Sequence, residues 1–117
     1  MTRNDDHTRL RHMLDHAVEA VEMTKGRVRA DLDRDRQFNL ALVRLVEIIG
    51  EAAARVSEDH RSRCPQIPWE DIVGMRNHVV HGYDDVDFDI LWDVIDLHLR
   101  PLIVELRRAL GENPTDQ

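Results

Sequence analysis

Apolar residues return every third or fourth position along most of this chain, and that period fits helices and little else. Leu10, Met13, Leu14, Ala17, Val18 and Val21 fall on one helical face. The opposite face carries Arg11, Asp15, Glu19 and Glu22, which belong in solvent. Asp6 or Thr8 is placed to cap this first helix, and Gly26 stands near its end. A second helix is expected from Asp33 or Asp35, with Phe38, Leu42, Leu45, Ile49, Ala52, Ala53 and Val56 as its buried stripe. Gly50 costs that helix about 1 kcal/mol relative to Ala. Followed by Ala52-Ala53-Ala54, it reads as a place where another helix comes close.

Residues 59–67 break the period and read as a loop. Pro68 suits the first position of a third helix. That helix carries Trp69, Ile72, Val73, Met75, Val79 and Val80, and is expected to close at His81-Gly82, with Gly82 as a left-handed C′ residue. Asp87 is the expected cap of a fourth helix, with Val86 and Leu91 as its hydrophobic staple and Asp89 favouring the helix dipole. The fourth helix runs through Leu91, Val94, Ile95, Leu102, Leu106 and Leu110 to Gly111. Pro101 removes one backbone hydrogen bond and should kink it. No segment reads as a strand. The predicted architecture is all-α, an up-and-down four-helix bundle with a kinked last helix. It forms one domain over residues 1–117, with 112–117 a frayed tail.

Composition sets the class. A hydrophobic fraction of 42% and a charged fraction of 33% fit a globular domain rather than a disordered chain. No apolar run approaches the roughly 20 residues of a membrane span. The first seven residues are polar and carry no signal-peptide core. The single cysteine, Cys64, excludes an internal disulfide and makes the cytoplasm the default compartment. A net charge of -7 argues against a general nucleic-acid coat, so any RNA contact needs a local positive patch.

One segment concentrates chemistry. Arg76-Asn77-His78-Val79-Val80-His81-Gly82-Tyr83 reads R-x-x-x-x-H-x-Y and contains the only tyrosine of the chain. Arginine grips phosphate with a bidentate fork, and histidine moves protons near neutral pH. The combination points to a phosphodiester. On a continuous helix Arg76 and His81 would stand about 140° apart, whereas His78 and His81 share a face. A site made from Arg76 and His81 therefore benefits from a bend at Gly82, or from a second copy of the helix across a two-fold axis.

This segment resembles the HEPN superfamily, and within it the HepT-like toxins of HEPN/MNT toxin–antitoxin pairs. Glu47-Ile48-Ile49-Gly50-Glu51-Ala52-Ala53, Ile67 to Met75 and Asp85-Val86-Asp87…Leu91-Trp92 share the likeness. The resemblance implies a homodimeric helical bundle with two motifs facing each other, acting as a metal-independent endoribonuclease without a cofactor. It implies a minimal nucleotidyltransferase as antitoxin, which transfers AMP to the motif tyrosine, here Tyr83. Catalysis would fall to Arg76, stabilising charge on the phosphorane, and His81, as general acid or base. The RNA's own 2′-hydroxyl would attack and leave a 2′,3′-cyclic phosphate. Asn77, His78, Tyr83 and Glu51 are accessory or substrate-binding candidates. Glu47 and Glu51 are both placed to pair with Arg76.

Other readings compete. A non-catalytic HEPN module that binds a nucleotidyltransferase or a nucleotide would fit much of the same sequence. Without the resemblance, Arg76 and His81 are a surface arginine and a helix-end histidine, and Tyr83 an amphipathic residue at a helix end. His60, Cys64, His78 and His81 offer a zinc set, weakened by Pro65 beside the lone cysteine. The run Asp84-Asp85-Val86-Asp87-Phe88-Asp89 is a cap and solvated turn, or a contact for a basic antitoxin surface. Met13, Met23 and Met75 are core or interface fillers, and Trp69 and Trp92 anchor the core or a dimer before they stack on bases.

Overall fold

A computed structural model describes residues 3–112, with side chains from Asp5 onward. Its elements are α1 (Arg3–Met23), α2 (Asp31–Arg34), α3 (Arg36–Ala54), α4 (Glu58–Ser62), α5 (Trp69–Val79), β1 (Val80–Gly82), β2 (Asp85–Val86) and α6 (Phe88–Asp93). A π-helical turn, Val94–Leu99, then joins α6 to α7 (Arg100–Ala109). The expected all-α bundle is present. α3 packs between α1 and α5, α7 closes on α1, and α6 meets α5. The core runs through Leu10 and Met13 of α1, Leu42 and Ile49 of α3, Val79 of α5, and Leu91, Ile95 and Leu106 of the last rod.

Several local expectations hold. Asp35 caps α3 by accepting from the Phe38 amide, and the whole stripe from Phe38 to Val56 is buried. A Cβ on Gly50 would lie 3.2 Å from the Ile72 carbonyl oxygen, so the missing side chain is what lets α5 sit against α3. Asp87 caps α6 by accepting from the Ile90 amide at 3.0 Å. Gly111 takes φ 77° and ends α7. The Gly111 amide donates to the Arg108 carbonyl and the Glu112 amide to Arg107, the paired bonds of a Schellman cap.

Other expectations fail, each for a physical reason. α1 begins at Arg3, so neither Asp6 nor Thr8 is its cap. Asp6 instead faces inward and accepts from Ser57 N at 2.8 Å and Ser57 Oγ at 2.6 Å, tying α1 to the α3–α4 junction. The first part of the loop predicted over 59–67 belongs to α4, because Ser57 accepts from the His60 amide and nucleates a turn. Pro68 is the N-cap of α5 rather than its first residue. α5 ends at Val79, with Val80 extended, and Gly82 does not take a positive φ. The motif therefore leaves the helix and enters an antiparallel hairpin, where no strand was expected.

The last rod is broken by the π turn that ends at Leu99, two residues before Pro101. Proline lacks the amide an α-turn would use, and its ring crowds the carbonyl four residues earlier; the wider turn relieves both. Glu112 forms an ion pair with Arg11, and 113–117 of the expected tail lie outside the described residues. Among the described residues, no helix is long and apolar enough to cross a membrane.

Candidate active site

The motif is split between two elements. Arg76, Asn77 and His78 occupy the last turn of α5, and all three are exposed. His81 lies in β1, and Tyr83 and Asp84 form the two-residue tip of the hairpin. The strand register pairs Val80 with Val86 and Gly82 with Asp85. Two steps on β1 thus match one on β2, and His81 is the extra residue of a bulge. Bulges of this kind re-aim a side chain. The 140° helical separation expected for Arg76 and His81 therefore does not apply; backbone irregularity, not helix phase, sets the direction of the imidazole.

The hairpin is held from both sides. The Asp87 amide donates to the Val79 carbonyl at 2.8 Å, closing its base. Arg36, at the start of α3, pairs with Asp84 at 3.0 Å. Arg29 pairs with Asp89 at the start of α6. Two carboxylates of the acidic run are thus neutralised by arginines and a third serves as a cap, which lowers the repulsion a phosphate would meet beside the motif.

Arg76 Nε donates to Glu47 Oε2 at 3.0 Å. Only one edge of the guanidinium is engaged, and its side chain keeps 49% of its surface exposed. Glu51, the other carboxylate expected near Arg76, pairs with Arg44 at 3.3 Å. Among the described residues, His81 and Tyr83 make no side-chain hydrogen bond or ion pair, and Tyr83 is fully exposed. Within one chain the fold brings Arg76 to Glu47 and leaves His81 and Tyr83 projecting on the hairpin. It joins no two of Arg76, His81 and Tyr83 directly.

His78 faces another way. It lines an apolar groove of about 530 Å³ between α5 and the last rod, together with Met75, Val94, His98 and Leu102. The zinc alternative is not assembled: no three His, Cys, Asp or Glu side chains form a metal-holding cluster among the described residues. Burial pushes the Cys64 thiol up, with Arg63 opposing, which disfavours the thiolate a metal needs. Trp69 is buried, and its Nε1 donates to the Cys64 carbonyl at 3.1 Å, so it anchors the loop instead of offering a stacking face. Met13 and Met75 are core residues.

Sequence reasoning missed one feature near the motif. Arg9 and His12 of α1 and Arg44 and Arg55 of α3 line a surface pocket of about 260 Å³. Its signal was present in the outward stripe Arg44, Ile48, Glu51, Arg55, spaced by four, three and four residues.

Comparisons with known proteins cover most of the chain. The family model described as "Ribonuclease HepT-like" matches residues 13–109. A protein of Caldanaerobacter subterraneus subsp. tengcongensis named "Putative RNase TTE0752" is 35% identical over 101 residues, covering 86% of this chain and 90% of that protein. "Putative RNase MJ1380" of Methanocaldococcus jannaschii is 32% identical over 95 residues, covering 81% and 87%. "Probable ribonuclease HepT" of Thermococcus cleftensis is 33% identical over 86 residues, covering 70% and 78%. No solved structure gives a significant match.

Proposed function

Because the chain belongs to the HepT-like ribonuclease family of HEPN proteins, we propose that it is an endoribonuclease toxin whose site is built from Arg76 and His81. The observation that carries this reading is the disposition of the motif. An arginine held at one edge by Glu47 stands at the end of α5, and a bulge displays an unpaired imidazole a few residues later.

The chemistry needs no group beyond these side chains and the RNA. A base removes the proton of the 2′-hydroxyl, and the oxygen attacks the adjacent phosphorus. The P–O5′ bond breaks, an acid protonates the departing 5′-oxygen, and a 2′,3′-cyclic phosphate remains. His81 takes one of these two roles and the His81 of the second copy takes the other. The free edge of Arg76 stabilises the charge on the phosphorane. Asn77, exposed beside Arg76, orients the phosphate. Arg76 and His81 do not touch within one chain, which favours a homodimer in which two motifs complete each other. Val73, one turn before Arg76, stays 38% exposed and offers apolar surface for that contact.

Tyr83 is the proposed control point. A minimal nucleotidyltransferase antitoxin would bring ATP, the phenolic oxygen would attack the α-phosphorus, and pyrophosphate would leave. The AMP installed there adds a bulky anion beside the cationic site and excludes RNA by size and charge. The fully exposed ring suits this acceptor role. His78 is accessory, since it lines the groove rather than the hairpin face.

The test is induced expression of the chain alone, with growth and RNA integrity followed for wild type, Arg76→Ala and His81→Ala. Toxicity and cleavage by the wild type only support the nuclease. No cleavage by any form, together with tight binding of a nucleotidyltransferase, favours a non-catalytic binding module; the lack of contact between Arg76 and His81 within one chain is the observation on that side.

A further inference from the structure

On a chain of net charge -7, Arg9 and His12 of α1 and Arg44 and Arg55 of α3 converge on one surface pocket, with Glu51 its only acidic lining residue. Among the described residues the Arg55 guanidinium has no ion-pair or hydrogen-bond partner, and that of Arg44 is engaged only by Glu51 at 3.3 Å. The Arg9 Nε is shielded from solvent and donates to nothing. Three guanidinium groups against one carboxylate leave a local excess of positive charge with unused donors. Most other arginines of the chain are spent on acidic neighbours, as Arg27, Arg29, Arg34 and Arg36 are.

The position of the pocket matters as much as its charge. Arg44, Glu47 and Glu51 follow one another at three- and four-residue spacing on the outward face of α3. Glu47 reaches across to Arg76 on α5, while Arg44, Ile48 and Arg55 lean toward α1. The pocket and Arg76 therefore flank the same helical ridge. Arg44 and Arg55 are about 16 Å apart along the helix axis, a span longer than any single phosphate group.

We propose that this pocket is a phosphate-holding subsite for the RNA backbone that flanks the scissile bond. The proposal rests on the nuclease reading and gives it the local positive patch that an acidic chain requires. Ile48 forms an apolar floor between the cations. Phosphate contacts of this kind set register and orientation and carry no base specificity. Glu51 acts as a tuning charge: it holds Arg44 in place and opposes the incoming phosphate.

The experiment measures binding of a short 2′-O-methyl oligoribonucleotide, which lacks the attacking hydroxyl, by fluorescence anisotropy across salt concentrations. The double variant Arg44→Ala/Arg55→Ala should weaken binding at least about tenfold and flatten the log–log salt slope by about 1.4, two contacts at roughly 0.7 each. Both side chains are exposed, so the fold should survive; circular dichroism and sedimentation check this. Glu51→Gln should tighten binding. Lys25→Ala removes a cation paired with Glu22 at the far end of α1 and should leave binding unchanged. Equal affinities for the double variant and Lys25→Ala would overturn the subsite, as would a loss of binding that tracks a change of oligomeric state, which would make the pocket a contact between copies. A wild type that binds through these arginines yet cleaves no RNA would support the subsite and defeat the nuclease reading. Cleavage with an unchanged KM in the double variant would defeat the subsite alone.

Discussion

Glu47 Oε2 accepts from Arg76 Nε at 3.0 Å, so a carboxylate on α3 fixes the angle of the motif's cation on α5. The pair is partly exposed, with side chains 25% and 49% accessible, and its contribution to stability should be under about 1 kcal/mol. Glu47→Gln should therefore leave thermal unfolding nearly unchanged. Its effect should appear in RNA cleavage, as a fall in kcat from a less constrained guanidinium. Arg76→Ala should lower cleavage about 100-fold or more, the usual loss when a transition-state donor is removed. Arg76→Lys should not restore it, because an ammonium cannot pair with Glu47 and present a planar fork together. Single-turnover cleavage beside thermal melts separates these outcomes.

Asp6 gives a pH dependence with a definite sign. Burial pushes its carboxyl up, but the hydrogen bonds from Ser57 Oγ and N, with His60 nearby, outweigh burial and hold it below the ordinary carboxylate value. A depressed folded value means the stabilisation is fully present above the unfolded value of about 3.9 and is lost as pH falls through the folded one. Asp31 and Asp35 are lowered as well, first by backbone amides of Val28 and Phe38 and then by arginines, and act in the same direction. Unfolding free energy should fall as pH drops below about 4. Asp6→Asn should flatten that fall, and Asp6→Ala should cost about 1–3 kcal/mol at neutral pH by stranding two Ser57 donors. Urea titrations at several pH values would reveal either result.

Gly50 is the contact point of α3 and α5. A β-carbon there would already lie 3.2 Å from the Ile72 carbonyl, and a helical carbonyl does not move aside easily. Gly50→Val should destabilise by about 1–3 kcal/mol despite removing a helix-interior glycine. It should also separate Glu47 from Arg76 and reduce cleavage in the fraction that stays folded. Cleavage per folded molecule, measured below the melting range, is the check.

Capping by Asp87 holds the hairpin's exit. Asp87→Ala should cost about 1 kcal/mol, because the Ile90 amide loses its acceptor. Local loosening should show as faster hydrogen exchange at the Asp87 and Ile90 amides, with little change at Leu10 or Ile49.

The Tyr83 side chain is fully exposed and makes no hydrogen bond or ion pair among the described residues, so Tyr83→Phe should change stability by less than about 0.5 kcal/mol. Incubated with a cognate nucleotidyltransferase and ATP, the wild type should gain AMP by mass spectrometry and the variant should not. Adduct formation on the variant would remove Tyr83 from the control role.

What the sequence disclosed followed period and caps. Phe38 to Val56 recurred at helical spacing, and Asp35 and Asp87 stood where an acceptor satisfies the first free amides, so both were legible. The hairpin was hidden because Val79 and Val80 continue the helical pattern into it, and strands of three and two residues are too short to show alternation. The π turn was hidden because it adds a residue to a turn without altering composition. Asp6 looks like a cap in the sequence because its partner, Ser57, lies 51 residues away. At the candidate site, residue types were legible and their elements were not. His81 owes its direction to a bulge that only pairing with Asp85 and Val86 creates. Spacing leaves Glu47 and Glu51 both within reach of Arg76, but Arg44, seven residues earlier on the same helix, pairs with Glu51.

The up-and-down connectivity gives the molecule two unlike poles. Asp6–Ser57 and Arg11–Glu112 gather the start of α1, the end of α3 and the end of α7 at one. Arg29–Asp89 and Arg36–Asp84 hold the hairpin at the other. A polypeptide joined at either limit of the described chain therefore emerges a full helix length from Tyr83. An insertion at the Tyr83–Asp84 tip would therefore disturb the pole that carries the tyrosine, whereas one beside Asp6 or Glu112 would lie at the opposite pole.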